Sequence, residues 1–358
     1  MSRYGLLVSP SHNRVYGQAA AGLVKAELAV FGESALGGRI RDIEESSIGG
    51  VPYVTFTAEA PEPDDIRLLS NLSSLYALFE LRADDLLRPV AIEPLDRFPS
   101  DLLTIQKYSG KTNEHFTRLL LNVTAMATSA PRDLLARRFR LFDPMCGRGT
   151  TLNQAMTYGM DAAGMDVDGK DFDAYAAFIK TWLKNNRVKH QAEITNIRRE
   201  RAVLGRRLHI TLGATKEEYR SGDTREITVV NADALGAGRF FRPNSFDLIV
   251  TDAPYGVQHG ARSQGARGKG APPGRKGADL SRSPVELLAK AVPEWTGLLR
   301  PGGAIGISWN TYVGRREDLA EILASAGLEV RDSAAHRAFR HRVDQAISRD
   351  LITARRPG

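Results

Sequence analysis

The chain has 358 residues, 42% hydrophobic and 25% charged, the make-up of an ordinary globular protein with room for two domains. No run of about 18 apolar residues occurs, which excludes a membrane helix, and the N-terminal MSRYGLLVSPSHNR is too short in apolar residues for a secretory leader. Cys146, the single cysteine, excludes a disulfide framework and a cysteine-based zinc cluster, so a cytoplasmic location is expected. Net charge is +7 but uneven: residues 1–105 hold 9 Lys/Arg against 15 Asp/Glu, and the rest 40 against 27. A basic second part points to a polyanionic partner.

RYGLLVS predicts a strand, followed by an amphipathic helix from about Ser11 to Phe31. VPYVTFTA, from Val51, alternates as a strand does. PEPDD breaks the chain and opens a predicted helix over DDIRLLSNLSSLYALFEL. A domain boundary is expected near Pro94–Pro99, giving an N-terminal mixed α/β domain, 1–104, and a second domain, 105–358. Beyond Ile105 strands and helices alternate: RLFDPMCGRGTTLNQAM is strand, turn and helix; DAAGMDVD is a strand; a long helix covers about Lys170 to Asn186. ITVVNADAL and SFDLIVTDAPYG are strands, LLAKAVPEWTGLL a helix, GGAIGISWN a strand. REDLAEILASAGLEV is a helix leading into a strand, and DQAISRDLITAR is the last strand. Such alternation calls for a mainly parallel sheet with helices on both faces. Residues 187–226 read as a helix extension and a polar hairpin. Residues 257–283 form a Gly/Pro/Arg-rich loop without periodicity, a length that is usually functional or disordered.

The turn in DPMCGRGTT follows an apolar strand and opens a helix. Gly147 and Gly149 let backbone approach a ligand closely, and ligands of open α/β sheets bind beyond the carboxyl ends of strands. The spacing is not the dinucleotide G-x-G-x-x-G. Three acids stand at successive strand ends: Asp143; Asp166, placed to accept from ribose hydroxyls; and Asp233, placed to accept from an adenine amine. Asp252-Ala253-Pro254-Tyr255 ends the apolar strand FDLIVT. An exocyclic base amine is a poor nucleophile because its lone pair is delocalised into the ring. The Asp252 carboxylate and the Ala253 carbonyl suit its hydrogens, Pro254 stiffens the turn, and Tyr255 offers a face for a flipped base.

The ordered set DPMCGRGT, GMDVD, NAD and DAPY resembles the class I amino-methyltransferases. The continuation YGVQHGARSQG is similar to the tRNA (guanine-10)-N2-methyltransferase family, in which D-P-P-Y-G runs into a Gly-Ala-Arg segment. KTNEHFTRLLLNVTA, from Lys111, also resembles that family. The resemblance covers about residues 105–355. It implies a Rossmann-like α/β fold with a mainly parallel seven-stranded sheet, S-adenosyl-L-methionine as cofactor, and transfer of a methyl group to guanosine N2 in RNA, tRNA above all. It also implies a cofactor site of Phe116, Asp143, Met145, Cys146, Gly147, Gly149, Thr150, Asp166, Val167, Asp233 and Ala234. Two departures stand out: the first proline of D-P-P-Y is Ala253, and no THUMP RNA-binding domain is recognisable in the acidic first 105 residues.

The loop's Arg262, Arg267, Lys269, Arg275 and Lys276 follow the tetrapeptide directly, so phosphate contacts are expected there. A second basic cluster is Arg198, Arg199, Arg201, Arg206 and Arg207. The competing readings are a DNA adenine-N6 methyltransferase, against which stands the lack of a separate target-recognition domain, and a non-catalytic RNA-binding protein on a degenerate methyltransferase fold, against which stand Asp252 and Tyr255. No metal is expected, and an accessory subunit is not indicated.

Overall fold

The structure is a computed structural model that describes residues 1–358 apart from 12, 84, 85, 138, 200, 201 and 254–283. Pro254, Tyr255 and the expected phosphate-binding residues Arg262, Arg267, Lys269, Arg275 and Lys276 lie outside the described residues.

The chain opens with β1 (Ser2–Val8), α1 (Arg14–Ser34), β2 (Ile40–Ile48), β3 (Val51–Ala58), α2 (Pro63–Leu69), β4 (Leu75–Leu81) and β5 (Leu87–Val90). These strands form an antiparallel sheet in the order β2-β3-β1-β4-β5. Its first four strands and two helices follow the β-α-β-β-α-β ferredoxin-like pattern. Asn13 starts α1 by accepting from Val15 N and Tyr16 N at 3.0 and 3.1 Å. The helix then buries Leu23, Val24, Leu28 and Phe31 against the sheet.

One expectation fails here. The helix predicted over residues 64–81 stops at Leu69, and LYALFEL is β4, paired with β1 and β5. The SNLSS stretch breaks the helix. Asn71 turns its amide back to Arg67 O at 2.7 Å and takes Leu95 N at 2.9 Å, so it serves as a junction instead of a helical residue.

After α3 (Asp101–Thr104) and α4 (Glu114–Met126) comes the larger sheet. Its strands are β6 (Arg140–Asp143), β7 (Asp161–Asp166), β8 (Lys189–Arg199), β9 (Ala202–Gly213), β10 (Arg225–Asn231), β11 (Phe246–Asp252), β12 (Leu299–Asn310), β13 (Glu329–Arg331), β14 (His341–Arg342) and β15 (Ser348–Arg355). Between them run α5 (Thr150–Thr157), α6 (Gly169–Asn185), α7 (Lys216–Ser221), α8 (Pro284–Leu298) and α9 (Arg316–Ser325). The order is β13-β15-β12-β11-β6-β7-β10-β9-β8. The seven strands from β13 to β10 make the Rossmann-like class I methyltransferase sheet, parallel except for β15, which is antiparallel to β12 and β13. From β6 the chain moves outward one way through β7 and β10, then returns to β11 on β6's other side. That reversal is the switch point where such sheets bind ligands.

The polar hairpin expected in residues 187–226 is β8–β9, which extends the sheet from β10. No helix extension occurs: α6 ends at Asn185, and Arg187 takes a left-handed φ of 55° to reverse into β8. Among the described residues, no helix is long and apolar enough to cross a membrane.

The two sheets share one apolar core. Leu28 and Phe31 of α1, Leu121 and Val123 of α4, and Met156 of α5 belong to the same buried cluster. Through it runs a polar seam. Glu27 accepts from Ser73 N and Oγ at 2.9 and 2.6 Å and from Asn122 Nδ2 at 2.7 Å. Asn122 also donates to Asn71 O at 2.8 Å and accepts from Tyr158 Oη at 2.9 Å.

Candidate active site

At the carboxyl end of β6 the backbone turns sharply. Gly147 and Gly149 have φ of 48° and 77°, which L side chains rarely adopt. A Cβ on Gly149 would lie 2.2 Å from the Tyr175 ring, whereas at Gly147 it would meet nothing within 4 Å. Gly149 is therefore needed to seat α5 on α6, and Gly147 keeps a face of the loop clear. Asp166, at the end of β7, accepts from Gly147 N and from Asp168 N, each at 2.8 Å. It thereby ties the glycine turn to the next strand end. Burial pushes its carboxyl above the ordinary range.

The other predicted cofactor residues fall around this turn in graded exposure. Asp143 is buried, accepts from Met145 N at 3.1 Å, and is pushed up to about 7 by burial. Cys146 is buried, with its N–H bound to Met165 O at 2.9 Å. Met145 is partly buried. Thr150 Oγ1 meets Tyr108 Oη at 3.1 Å. Val167 is 74% exposed, an apolar face beside the Asp166 carboxylate. Asp233 is exposed and caps the following turn through Leu235 N at 2.9 Å, and Ala234 O accepts from Trp295 Nε1 at 3.1 Å. Carboxylates at three successive strand ends, a turn with a clear face and an exposed apolar side chain fit an adenosine: acceptors for ribose hydroxyls and an amine, and a surface for the base.

Phe116 packs in the buried core beneath Arg349. Its ring is fully buried, 4.5 Å below the Arg349 guanidinium and 5.2 Å from the ring of His341. In turn, His341 meets Tyr16 of α1 edge-on at 6.2 Å.

Asp252 sits at the end of β11, next to the switch point. Ser308 Oγ donates to its Oδ1 at 2.8 Å; Thr112 Oγ1 and Arg349 Nη2 donate to Oδ2 at 2.6 and 3.2 Å. Ser308 comes from the neighbouring strand, in register with Asp252. Thr112 comes from the segment entering α4, and Arg349 from β15. Ala253 is 2% exposed, with its N–H bound to Ser308 O at 2.8 Å. Burial pulls the Arg349 guanidinium below its usual range, opposed by the charge of Asp252.

Thus Asp252 and the strand-end acids are brought to one edge of the sheet. Sequence reasoning missed Thr112, Ser308 and Arg349. Ser308 was findable from the strand order, since β11 and β12 are neighbours; Arg349 was not, because it lies 97 residues from its partner. The basic cluster 198–207 is partly spoken for: Arg206 pairs with Asp173 at 2.8 Å and lies 4.7 Å over Phe172.

A family model described as RMKL-like, methyltransferase domain, matches residues 135–267. No curated protein matches the chain. Among solved structures, TrmN from Thermus thermophilus is 13% identical over 99% of this chain and 100% of its own, with a TM-score of 0.44. A TehB-like SAM-dependent methyltransferase from Corynebacterium glutamicum is 15% identical over 67% and 86%, with a TM-score of 0.34. The N-methyltransferase NodS from Bradyrhizobium japonicum is 13% identical over 68% and 95%, with a TM-score of 0.36. With the matched domain and the strand order above, the chain is an S-adenosylmethionine-dependent methyltransferase.

Proposed function

We propose that the chain methylates the exocyclic N2 of a guanosine in RNA, with tRNA the favoured substrate. The observation that carries the reading is Asp252: a carboxylate at the end of β11, beside the switch point, oriented by donors from three elements. S-adenosylmethionine would be held at the Gly147–Gly149 turn by Asp166, Val167 and Asp233 and would supply the methyl group. Asp252 and the Ala253 carbonyl accept the hydrogens of the target amine and fix its nitrogen for in-line attack. Accepting those bonds draws electron density onto a nitrogen that the ring otherwise depletes. On taking the methyl group that the cofactor would supply, the nitrogen would give up a proton toward Asp252 and solvent. The motif continuation after Tyr255 supports guanosine, and the net charge of +13 beyond residue 105 supports a nucleic-acid substrate. We assign this chemistry to residues 105–358 and an RNA-docking role to residues 1–104, a division of labour across a shared core.

The test is Asp252→Asn. An alanine here would remove the carboxylate that faces a buried guanidinium, at a cost in stability, so the isosteric amide is the cleaner variant. It is expected to lose at least about 100-fold in turnover, since one tenfold step is only ~1.4 kcal/mol of barrier, while S-adenosylhomocysteine affinity stays within about twofold. Nucleoside mass spectrometry of unmodified tRNA and of duplex DNA after incubation with the wild type then reads the product. N2-methylguanosine in the RNA is expected. N6-methyladenine in the DNA would transfer the assignment to DNA modification.

A further inference from the structure

We propose that Arg349 is a positioning residue for methyl transfer, acting through Asp252. The inference rests on the reading of Asp252 as the group that meets the target amine. Arg349 is 4% exposed and stands on β15, the antiparallel strand, while Asp252 stands on β11, two strands away. Its guanidinium lies 4.5 Å over the Phe116 ring and reaches Asp252 Oδ2 at 3.2 Å.

Burying an arginine is costly, and an apolar residue of similar volume often serves stability as well. What an apolar residue cannot do is hold a carboxylate in a chosen plane. A buried guanidinium held over an aromatic ring loses much of its freedom, so the ring beneath restricts the directions its N–H bonds can take. That ring is itself backed by His341, and His341 by Tyr16 of α1. Thr112 and Ser308 grip the carboxylate from two further directions, so three separate elements fix one rotamer. Fixing the acceptor before substrate arrives removes reorganisation from the reaction step, and small misplacements there are costly in rate.

The experiment compares Arg349→Met, which keeps cover over Phe116, and Arg349→Lys, which keeps charge without the planar fork. Both are measured in the full chain, alone and combined with Asp252→Asn. Arg349→Met is expected to lower kcat by about 10- to 100-fold, with KM for RNA and S-adenosylhomocysteine affinity within about threefold. Arg349→Lys should recover part of the loss. In the Asp252→Asn background, Arg349→Met should cost less than about threefold, because residues that act through one another are not additive. Full additivity, or a kcat within threefold of wild type in a folded Arg349→Met protein, overturns the assignment. Should Arg349→Met not fold, Thr112→Val removes a donor to the same Oδ2 and is read in the same cycle: a kcat loss that vanishes beside Asp252→Asn supports positioning, and an additive one overturns it. Failure of the guanosine reading appears separately, in the nucleoside the wild type produces, because the variant ratios are measured on whichever base is methylated.

Discussion

The Asp166 carboxylate accepts from Gly147 N and Asp168 N, yet each oxygen keeps a second acceptor site for a ribose hydroxyl. Asp166→Ala therefore removes the anchor of the glycine turn and, on the proposed reading, the ribose contact. Affinity for S-adenosylhomocysteine is expected to fall at least tenfold, from loss of a charge-assisted bond worth about 1.5–3 kcal/mol, while RNA affinity changes less than threefold. Calorimetry with S-adenosylhomocysteine and a filter-binding assay with RNA check the two halves. Unchanged cofactor affinity would move the ribose contact to another acid, with Asp168 the nearest. Asp166 and Asp252 were legible because short-range rules, an apolar strand followed by an acid or a glycine turn, mark a strand end. Their protein partners were not. The donors on Asp252 lie 56, 140 and 97 residues away, and no local pattern announces a contact made by tertiary folding.

Among the elements, β8 and β9 carry Arg198, Arg199, Arg206 and Arg207 of the second basic cluster, Arg201 lying outside the described residues, but Arg206 is already committed to Asp173 and Phe172. That leaves the segment after Asp252 as the better candidate for phosphate contact. Replacing Arg262, Arg267, Lys269, Arg275 and Lys276 with Ser is expected to weaken RNA binding and flatten its salt dependence. Each lost contact changes the log–log slope by about 0.7 on single strands. Titrations at several salt concentrations decide it, and parallel lines for the two proteins would shift the footprint away from this segment. Periodic elements such as α1, α6 and β11 were readable, because one buried face imposes its spacing on the sequence. LYALFEL was misread as helix because a strand needs its partners, β1 and β5, to show its register. The polar strand β2 went unseen for a related reason: IRDIEESSI has no continuous buried face and is defined by its pairing with β3.

The seam around Glu27 contributes to the pH dependence of stability of the whole molecule. Burial raises this carboxyl from its ordinary 4.5 to about 7, against the pull of Ser73 and Asn122. Between those values the folded chain holds a proton that the unfolded chain has released, so stability is greatest below pH 4.5 from this group and declines as pH rises to 7. The loss is on the order of 3 kcal/mol at 1.36 kcal/mol per pH unit. Urea denaturation from pH 5 to 8 should show this decline in the wild type and a shallower one in Glu27→Gln. Asp143, Asp166 and Asp350, whose carboxyls burial shifts in the same direction, contribute to the remaining slope. Equal slopes in the two proteins would remove Glu27 from the account. The long span of the contacts on Asp252 also has a kinetic consequence. A carboxylate that takes bonds from residues 112, 308 and 349 cannot be assembled by local folding alone. Closing loops of that length is slow relative to forming helices and hairpins. During refolding or synthesis, secondary structure will precede a competent site, and recovered turnover will serve as a late marker of the native state.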